Sequence, residues 1–232
     1  MMKILSINKT VVFEGLSISN IEESELSTFQ TLASFDYIII NGGDGTIRRI
    51  IKILHTIEHQ AKFILNPTGS FNVISKLHHI PKLDAVLDSL ATGDAPQTQI
   101  HQYYSLNDEI FLFSAGNMGD LQHIFLSETL RFGLLKKGIA KYLLAGLFLA
   151  PVHIIMTPFM LLSPRRFFIF TPASFIGKFG TFYGRVEKEI HIDLENRYNL
   201  IELDGDVITI EEPILEIKPA GLISVVTRVS LK

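Results

Sequence analysis

The 232-residue sequence contains no cysteine. Disulfides, Cys-ligated zinc and thiol chemistry are therefore excluded, while the redox compartment stays open. Charge is also scarce, at 19% of residues against an ordinary share of about 25%. The formal balance is −3 and the pI near 6.2, which argues against a globally basic nucleic-acid binder and leaves only a local basic patch open. With 47% hydrophobic residues, disorder and low-complexity polymers are excluded. No Gly-x-Ser-x-Gly elbow is present, so a serine nucleophile of that kind is absent. The opening residues Met1 to Leu5 run into Asn8, Lys9 and Thr10 before an apolar block builds up. No secretory leader is expected, and a cytoplasmic location is.

One long apolar run does occur. Mean hydropathy is +0.30, and much of the excess lies in residues 142–163, 22 residues without Asp, Glu, Lys or Arg. That length could span a bilayer. Pro151, His153 and Pro158 interrupt it, and cations flank both ends: Lys136, Lys137 and Lys141 before, Arg165 and Arg166 after. The flanks give no orientation. A buried helix followed by a strand, an interfacial element in peripheral contact with a membrane, and a true span are the three readings.

The N-terminal part alternates strand and helix signals. Ile4, Leu5, Ile7 and then Val11, Val12, Phe13 are strand-like, and Ser19-Asn20 ahead of Ile21, Glu22, Glu23 and Leu26 predicts a helix start. Tyr37 to Ile40 is a continuous apolar run of the kind buried parallel strands show. Ile47, Ile50, Ile51 and Leu54 then follow helical spacing, continuing to Ile57 or Glu58. Phe63-Ile64-Leu65 predicts a short strand, and Val73, Ile74 and Leu77 a further helix. Strand, Gly-rich turn, helix, repeated, is the grammar of a parallel α/β domain. Beyond Asp94 the pattern changes. Strands are predicted over 98–104, 110–115, 166–171, 189–193, 199–203, 207–210, 215–218 and 222–227, with one helix near 134–149. The expectation is an α/β protein of two domains: a parallel α/β domain over 1–97 and an antiparallel β-rich domain over 98–232.

The turn Asn41-Gly42-Gly43-Asp44-Gly45-Thr46 carries the chemistry. Glycines after a buried strand let backbone amides approach an anion, and the helix start adds donors and the positive end of a dipole. Asp44 suits a phosphate site if a hydrated Mg²⁺ lies between, since Mg²⁺ prefers one or two carboxylates plus phosphate oxygens. The plain alternative is a tight turn with an Asx cap. Neither common nucleotide pattern is present: no Gly-Lys-Ser/Thr follows, and Gly-x-Gly-x-x-Gly is absent.

The turn resembles the Gly-Gly-Asp-Gly-Thr signature shared by diacylglycerol kinases, sphingosine kinases, YegS-like lipid kinases, NAD kinases and phosphofructokinases. A second turn, Asn66-Pro67-Thr68-Gly69-Ser70-Phe71-Asn72 with Leu77 and Ile80-Pro81 behind it, resembles the lipid-kinase version. So do Asn107 to Gly116, Gly138 to Leu147, and Asp204-Gly205-Asp206 with Pro219 to Leu222 after it. The chain is identified by this ordered set with the diacylglycerol kinase and YegS-like lipid kinase family. The resemblance implies an ATP-dependent lipid kinase, transferring the γ-phosphoryl group to a lipid hydroxyl with Mg²⁺. It implies that Gly42, Gly43, Asp44, Gly45 and Thr46 hold phosphate and Mg²⁺, and that Gly69, Ser70 and Asn72 contact nucleotide. Asp44 would be the metal ligand, and Asp206 stands at the family's general-base position. The implied partners are a nucleotide and a lipid, with no nucleic acid; oligomeric state is not implied.

The chain departs from the family pattern at several places. Ile47-Arg48-Arg49 replaces a segment ending in Asn-Glu, Ser70 stands for Thr, Val73 for Asp, and Asp206 for Glu. Two cations beside the nucleotide site could grip phosphate or mark a member that binds without turnover. An NAD kinase fits the second turn and the Asp204-Gly205-Asp206 segment poorly, and a membrane protein anchored by 142–163 is the non-enzymatic rival. Histidine pairs His55/His59 and His78/His79 lack a third ligand at suitable spacing, so surface histidines are expected there. Phe167, Phe168, Phe170, Phe175, Phe179 and Phe182 are expected in the sheet core or along an apolar cleft.

Overall fold

Tyr37–Gly42 forms strand β3, buried at every position, in a computed structural model that describes residues 2–29, 32–57, 59–69, 72–117, 147, 158–159 and 161–229. Burial on both faces is what a continuous apolar run requires. Around β3 lie β1 (Lys3–Ile7), β2 (Ser17–Ile21) and β4 (Lys62–Pro67). All pair in parallel. The helices of this part are α1 (Asp44–Leu54), α2 (Val73–Leu77) and α3 (Leu83–Ala91). The strands that follow are β5 (Gln97–Leu106), β6 (Glu109–Phe111), β7 (Ser114–Gly116), β8 (Phe168–Phe170), β9 (Lys178–Phe179) and β10 (Phe182–Tyr183). The last are β11 (Ile190–Asp193), β12 (Asn199–Leu203), β13 (Asp206–Ile210) and β14 (Ile214–Arg228).

The chain divides into two units. The first is Met1–Tyr103 with Ala220–Lys232, and the second is Tyr104–Pro219. Two strands, β5 and β14, contain the crossing points.

In the first unit the parallel order is β2-β1-β3-β4-β14. Ile4, Ile39, Ile64 and Val226, one from each of four neighbouring strands, share a buried cluster with Val86, Leu87 and Leu90 of α3. α1 packs on β3 and buries Ile47, Ile50, Ile51 and Leu54. Truncating one such Ile or Leu to Ala costs about 2–5 kcal/mol.

In the second unit a sheet runs β13-β12-β7-β8-β10-β9. Its pairs are antiparallel except β8 with β10. Its core joins Phe111, Ala115, Phe167, Ile169, Ile201, Leu203, Leu215 and Ile217. The fold is thus the expected α/β type, with a parallel α/β part and a largely antiparallel β-rich part.

Several local expectations change. Residues 17–21 form a strand beside β1, where a helix start was predicted; the helix is a 3-10 turn beginning at Glu23. Val11 to Phe13 form no strand, and Val12 is exposed. The side chain of Asn20 takes both backbone bonds of Val11 instead, accepting from its N–H at 2.8 Å and donating to its carbonyl at 3.3 Å. The predicted strand 110–115 is two strands in two sheets. Segments 215–218 and 222–227 are one strand running through Pro219 and Gly221, because Gly221 leaves room for the Tyr103 ring against the backbone. Phe167 is buried as expected, but Phe175 and Phe179 are exposed. They sit on a 3-10 turn and a two-residue edge strand.

The apolar run 142–163 and the helix expected near 134–149 lie outside the described residues except at Leu147, Pro158, Phe159 and residues 161–163. Among the described residues no helix is long and apolar enough to cross a membrane.

Candidate functional site

At the carboxyl ends of β3 and β4 the two glycine turns lie side by side. Asn41 pairs in register with Asn66, and Gly42 with Pro67. The Thr68 N–H donates to the Gly42 carbonyl at 3.1 Å. Gly43 and Gly69 meet backbone to backbone: a Cβ on Gly69 would stand 2.7 Å from the Gly43 Cα, and one on Gly43 3.0 Å from the Gly69 Cα. Glycine is needed here for close approach of the two turns.

Side chains complete the latch. Asp44 opens α1 and is buried. Its Oδ2 accepts from the Val73 N–H at 2.7 Å and its Oδ1 from the Ile74 N–H at 3.1 Å. It therefore caps α2 from another element, satisfying amides that have no partner within the helix. Burial pushes the Asp44 carboxyl above its ordinary range, opposed by those two amides and by Lys76. Asn72, in left-handed backbone at φ 49°, accepts from the Gly69 N–H at 3.0 Å and donates to the Gly69 carbonyl at 2.7 Å. Beneath, Asn66 donates to the Asn41 side-chain oxygen at 2.7 Å. Asn41 donates to Ser6 Oγ at 3.0 Å and to the Ile7 carbonyl at 2.8 Å. A row of side-chain amides thus ties together the ends of β1, β3 and β4.

The first intrahelical bond of α1 runs from the Ile47 N–H to the Gly43 carbonyl at 3.0 Å. The N–H groups of Asp44, Gly45 and Thr46 precede it and have no carbonyl one turn back. Amides in this position, at a helix start on the carboxyl edge of a parallel sheet, are where anions bind in open α/β folds.

The two arginines of the turn differ from each other. Arg48 is buried on the apolar face of α1. Arg49 donates from Nε to Glu23 Oε1 at 2.8 Å and from its terminal nitrogen to Thr46 Oγ1 at 3.3 Å. Burial alone would raise the Glu23 carboxyl, but bonds from Arg49 and Asn8 and the Arg49 charge outweigh it and hold it below its ordinary range.

Asp206 opens β13 in the second unit, directly after a two-residue hairpin turn in which Asp204 has φ 52° and Gly205 φ 91°. Asp-Gly with both φ positive is the hairpin solution that matches strand twist. Asp204 does more than turn. Its carboxylate accepts from the N–H groups of Leu112 at 2.7 Å, Phe113 at 2.9 Å and Ser114 at 3.0 Å. These bonds end β6 and start β7, which explains the split of the predicted strand. Glu202, also buried, accepts from Ser114 Oγ at 3.0 Å and from the Gly205 N–H.

Of the residues singled out in the sequence, Gly42, Gly43, Asp44, Gly45, Thr46, Gly69 and Asn72 come together in the first unit. Ser70 lies outside the described residues. Asp206 belongs to the second unit. The amide row Asn41–Asn66 and the clasp of Asp204 were not anticipated. The signal for the first was the same residue type at the same place on two strand ends.

Mg²⁺ fits this turn only at one remove. Each Asp44 oxygen already takes an amide, and no group of three or more His, Asp or Glu that could hold a metal occurs among the described residues. A cation here would be carried by nucleotide phosphates and water, with Asp44 reached through water.

The histidine expectation is corrected at His78, which is buried. Its Nε2 lies 3.0 Å from His101 Nδ1 and its Nδ1 3.2 Å from Gln99 Oε1, both on β5. A cleft of 610 Å³ lined by Met2, Tyr37 and Lys62 opens at the amino ends of β1, β3 and β4, the far edge of the sheet from the glycine turns.

A latched pair of glycine turns on a parallel sheet, joined in sequence to a β-rich unit, defines an α/β protein of two units. Residues 12–103 match the model of the diacylglycerol kinase catalytic domain. A protein of Streptococcus pneumoniae serotype 4 (strain ATCC BAA-334 / TIGR4) assigned as a lipid kinase is 29% identical over 105 residues, 44% of this chain and 35% of that protein. The match thus spans about a third of the curated relative's length. A diacylglycerol kinase from Bacillus anthracis str. Sterne superposes with a TM-score of 0.55 at 15% identity, over 98% of this chain and 97% of that one. A second structure from the same strain, also assigned as a diacylglycerol kinase, gives 0.57 at 15% identity over the same shares. These likenesses agree with the ordered motifs: residues 12–103 resemble the diacylglycerol kinase catalytic domain, and the chain shares the fold of the two Bacillus anthracis structures.

Proposed function

We propose that the protein is an ATP-dependent lipid kinase acting on the hydroxyl of a diacylglycerol-like lipid. The observation that carries this is the latch: Asp44, Asn72 and the Gly43–Gly69 contact hold the two glycine turns together at the sheet edge, beside the start of α1. In this reading Gly42, Gly43, Gly45 and Thr46 hold phosphate, and Gly69, Ser70 and Asn72 bind nucleotide beside them. Mg²⁺, arriving with the nucleotide, neutralises phosphate charge. Asp206 is the general base. The lipid hydroxyl oxygen attacks the γ-phosphorus, the bond from that phosphorus to the bridging oxygen breaks, ADP leaves, and the hydroxyl proton passes to Asp206. Positioning carries most of the acceleration, since phosphoryl transfer asks little covalent work of the protein. The reaction belongs at the cytoplasmic side of a membrane, where nucleotide and lipid meet.

Transfer of label from [γ-³²P]ATP to a lipid extract in detergent micelles tests the proposal. The wild type should label a lipid, and Asp206→Asn should lower the rate by about 10²–10⁴-fold. Unchanged transfer would remove Asp206 from the mechanism. A second reading has one observation in its favour, the engagement of both Asp44 oxygens by α2. It is a nucleotide-binding protein without turnover, and ATP binding with no labelled lipid would select it. A soluble NAD acceptor serves as the remaining control, and label on it would point to an NAD kinase.

A further inference from the structure

The second unit displays apolar side chains that its own core leaves outside. After β8 the chain makes a 3-10 turn over Thr171–Ile176 and the short hairpin β9–β10. Phe175 is 86% exposed and Phe179 65%; Ile176 is also exposed. Leu162 and Phe159, just before β8, are exposed as well. The display is firmly seated. Gly180 has φ 59°, and a Cβ there would stand 2.5 Å from the Leu161 carbonyl oxygen. The Thr181 N–H donates to that same oxygen at 3.1 Å, and the Gly184 N–H to the Gly177 carbonyl at 2.7 Å. The two phenylalanines are thus held out by a close-packed turn.

Charge along this stretch of the sequence is one-sided. From Pro158 to Val186 there is no Asp or Glu, while Arg165, Arg166, Lys178 and Arg185 are all present. The acid-free run extends in sequence back to residue 129 and contains eight Lys and Arg, in a chain whose formal net charge is −3. Lys178 lies between Ile176 and Phe179 in sequence, its Nζ 4.9 Å from the Tyr183 ring centroid. Arg165 and Arg185 pair with Glu195 and Glu187, both beyond the C-terminal end of the segment. Arg166 donates to the Asn117 carbonyl and keeps its charge. Aromatic side chains with interleaved cations match the boundary of an anionic bilayer: apolar groups enter the acyl edge, and cations meet headgroup phosphates.

We propose that Phe175, Ile176 and Phe179, with Lys178 among them, form a wedge that inserts into the surface of an anionic phospholipid bilayer. The inference deepens the lipid-kinase reading and rests on it for its purpose, since it brings the protein to a membrane-held acceptor.

Sedimentation of the full chain with vesicles tests it. Binding should be stronger to phosphatidylcholine mixed with phosphatidylglycerol than to phosphatidylcholine alone, and should weaken with salt. The double variant Phe175→Ala, Phe179→Ala should keep the wild-type melting curve and lose about tenfold or more in vesicle affinity. Lys178→Glu should weaken binding to the mixed vesicles. Unaltered binding by the double variant, or no binding by the wild type, would overturn the wedge. The chain has no tryptophan, so Phe175→Trp supplies a single probe whose emission should move to shorter wavelength on mixed vesicles. A shift that follows protein concentration without vesicles would assign the patch to a second copy and overturn the proposal. Label transfer separates the two readings: transfer in micelles without vesicle binding sinks the wedge and leaves the kinase, and vesicle binding without transfer does the reverse.

Discussion

Asp44 shows how one side chain can look catalytic in sequence and act as a cap in structure. Its two oxygens hold the first amides of α2, so Asp44→Asn turns an amide donor toward a backbone donor. A loss of about 1–3 kcal/mol is expected in urea unfolding, together with weaker nucleotide binding. Loss of binding with unchanged stability would instead assign Asp44 to the ligand alone. Arg49 gives a pH signature. Its bonds help hold Glu23 below the ordinary carboxylate range. That contribution is present above the ordinary value near 4.5 and is lost as pH falls through the lower, folded-state value. Arg49→Ala should therefore cost at most about 1 kcal/mol at neutral pH, since the pair is part-exposed. Stability curves of wild type and variant should converge below pH 4.5. The glycines and Asp44 were legible because strand, turn and helix were contiguous in sequence. The roles of Asn41, Asn66 and Asp204 were not, because each acts on a group far along the chain.

Short elements decided where sequence reading succeeded. β3 and α1 follow from an unbroken apolar run and from helical spacing of isoleucines. The helix α3 carries the same spacing at Leu83, Val86, Leu87 and Leu90, but over nine residues only, which makes it a weaker signal than α1. β2 was misread because its alternating Ser-Ile-Ser-Asn-Ile sits beside acids that cap the next turn. The β12–β13 hairpin depends on Asp204, whose removal leaves three buried amides without their acceptor. Asp204→Ala should destabilise the second unit by about 3 kcal/mol or more, visible as a lower melting temperature. At the latch, Gly69→Ala places a methyl 2.7 Å from the Gly43 Cα. About 1–3 kcal/mol of overpacking and a fall in nucleotide affinity are expected; wild-type affinity would mean that the two turns separate without cost.

At the scale of the whole chain, the first unit is assembled from two distant stretches. Its sheet takes β14 beside β4, with Val225 opposite Phe63, and its core includes Val226. A fragment covering residues 1–103 should unfold at lower urea than the same fragment linked to residues 220–229. Equal midpoints would mean that the returning strand adds nothing. Because those two stretches are separated by residues 104–219, the arrangement also sets an order of events during synthesis. The sheet that carries the glycine turns lacks one of its strands until the ribosome has translated all of residues 104–219. At about 5–20 residues per second, that wait lasts on the order of ten seconds. A chain released anywhere inside that interval holds neither unit whole, so an aborted product is exposed to proteolysis.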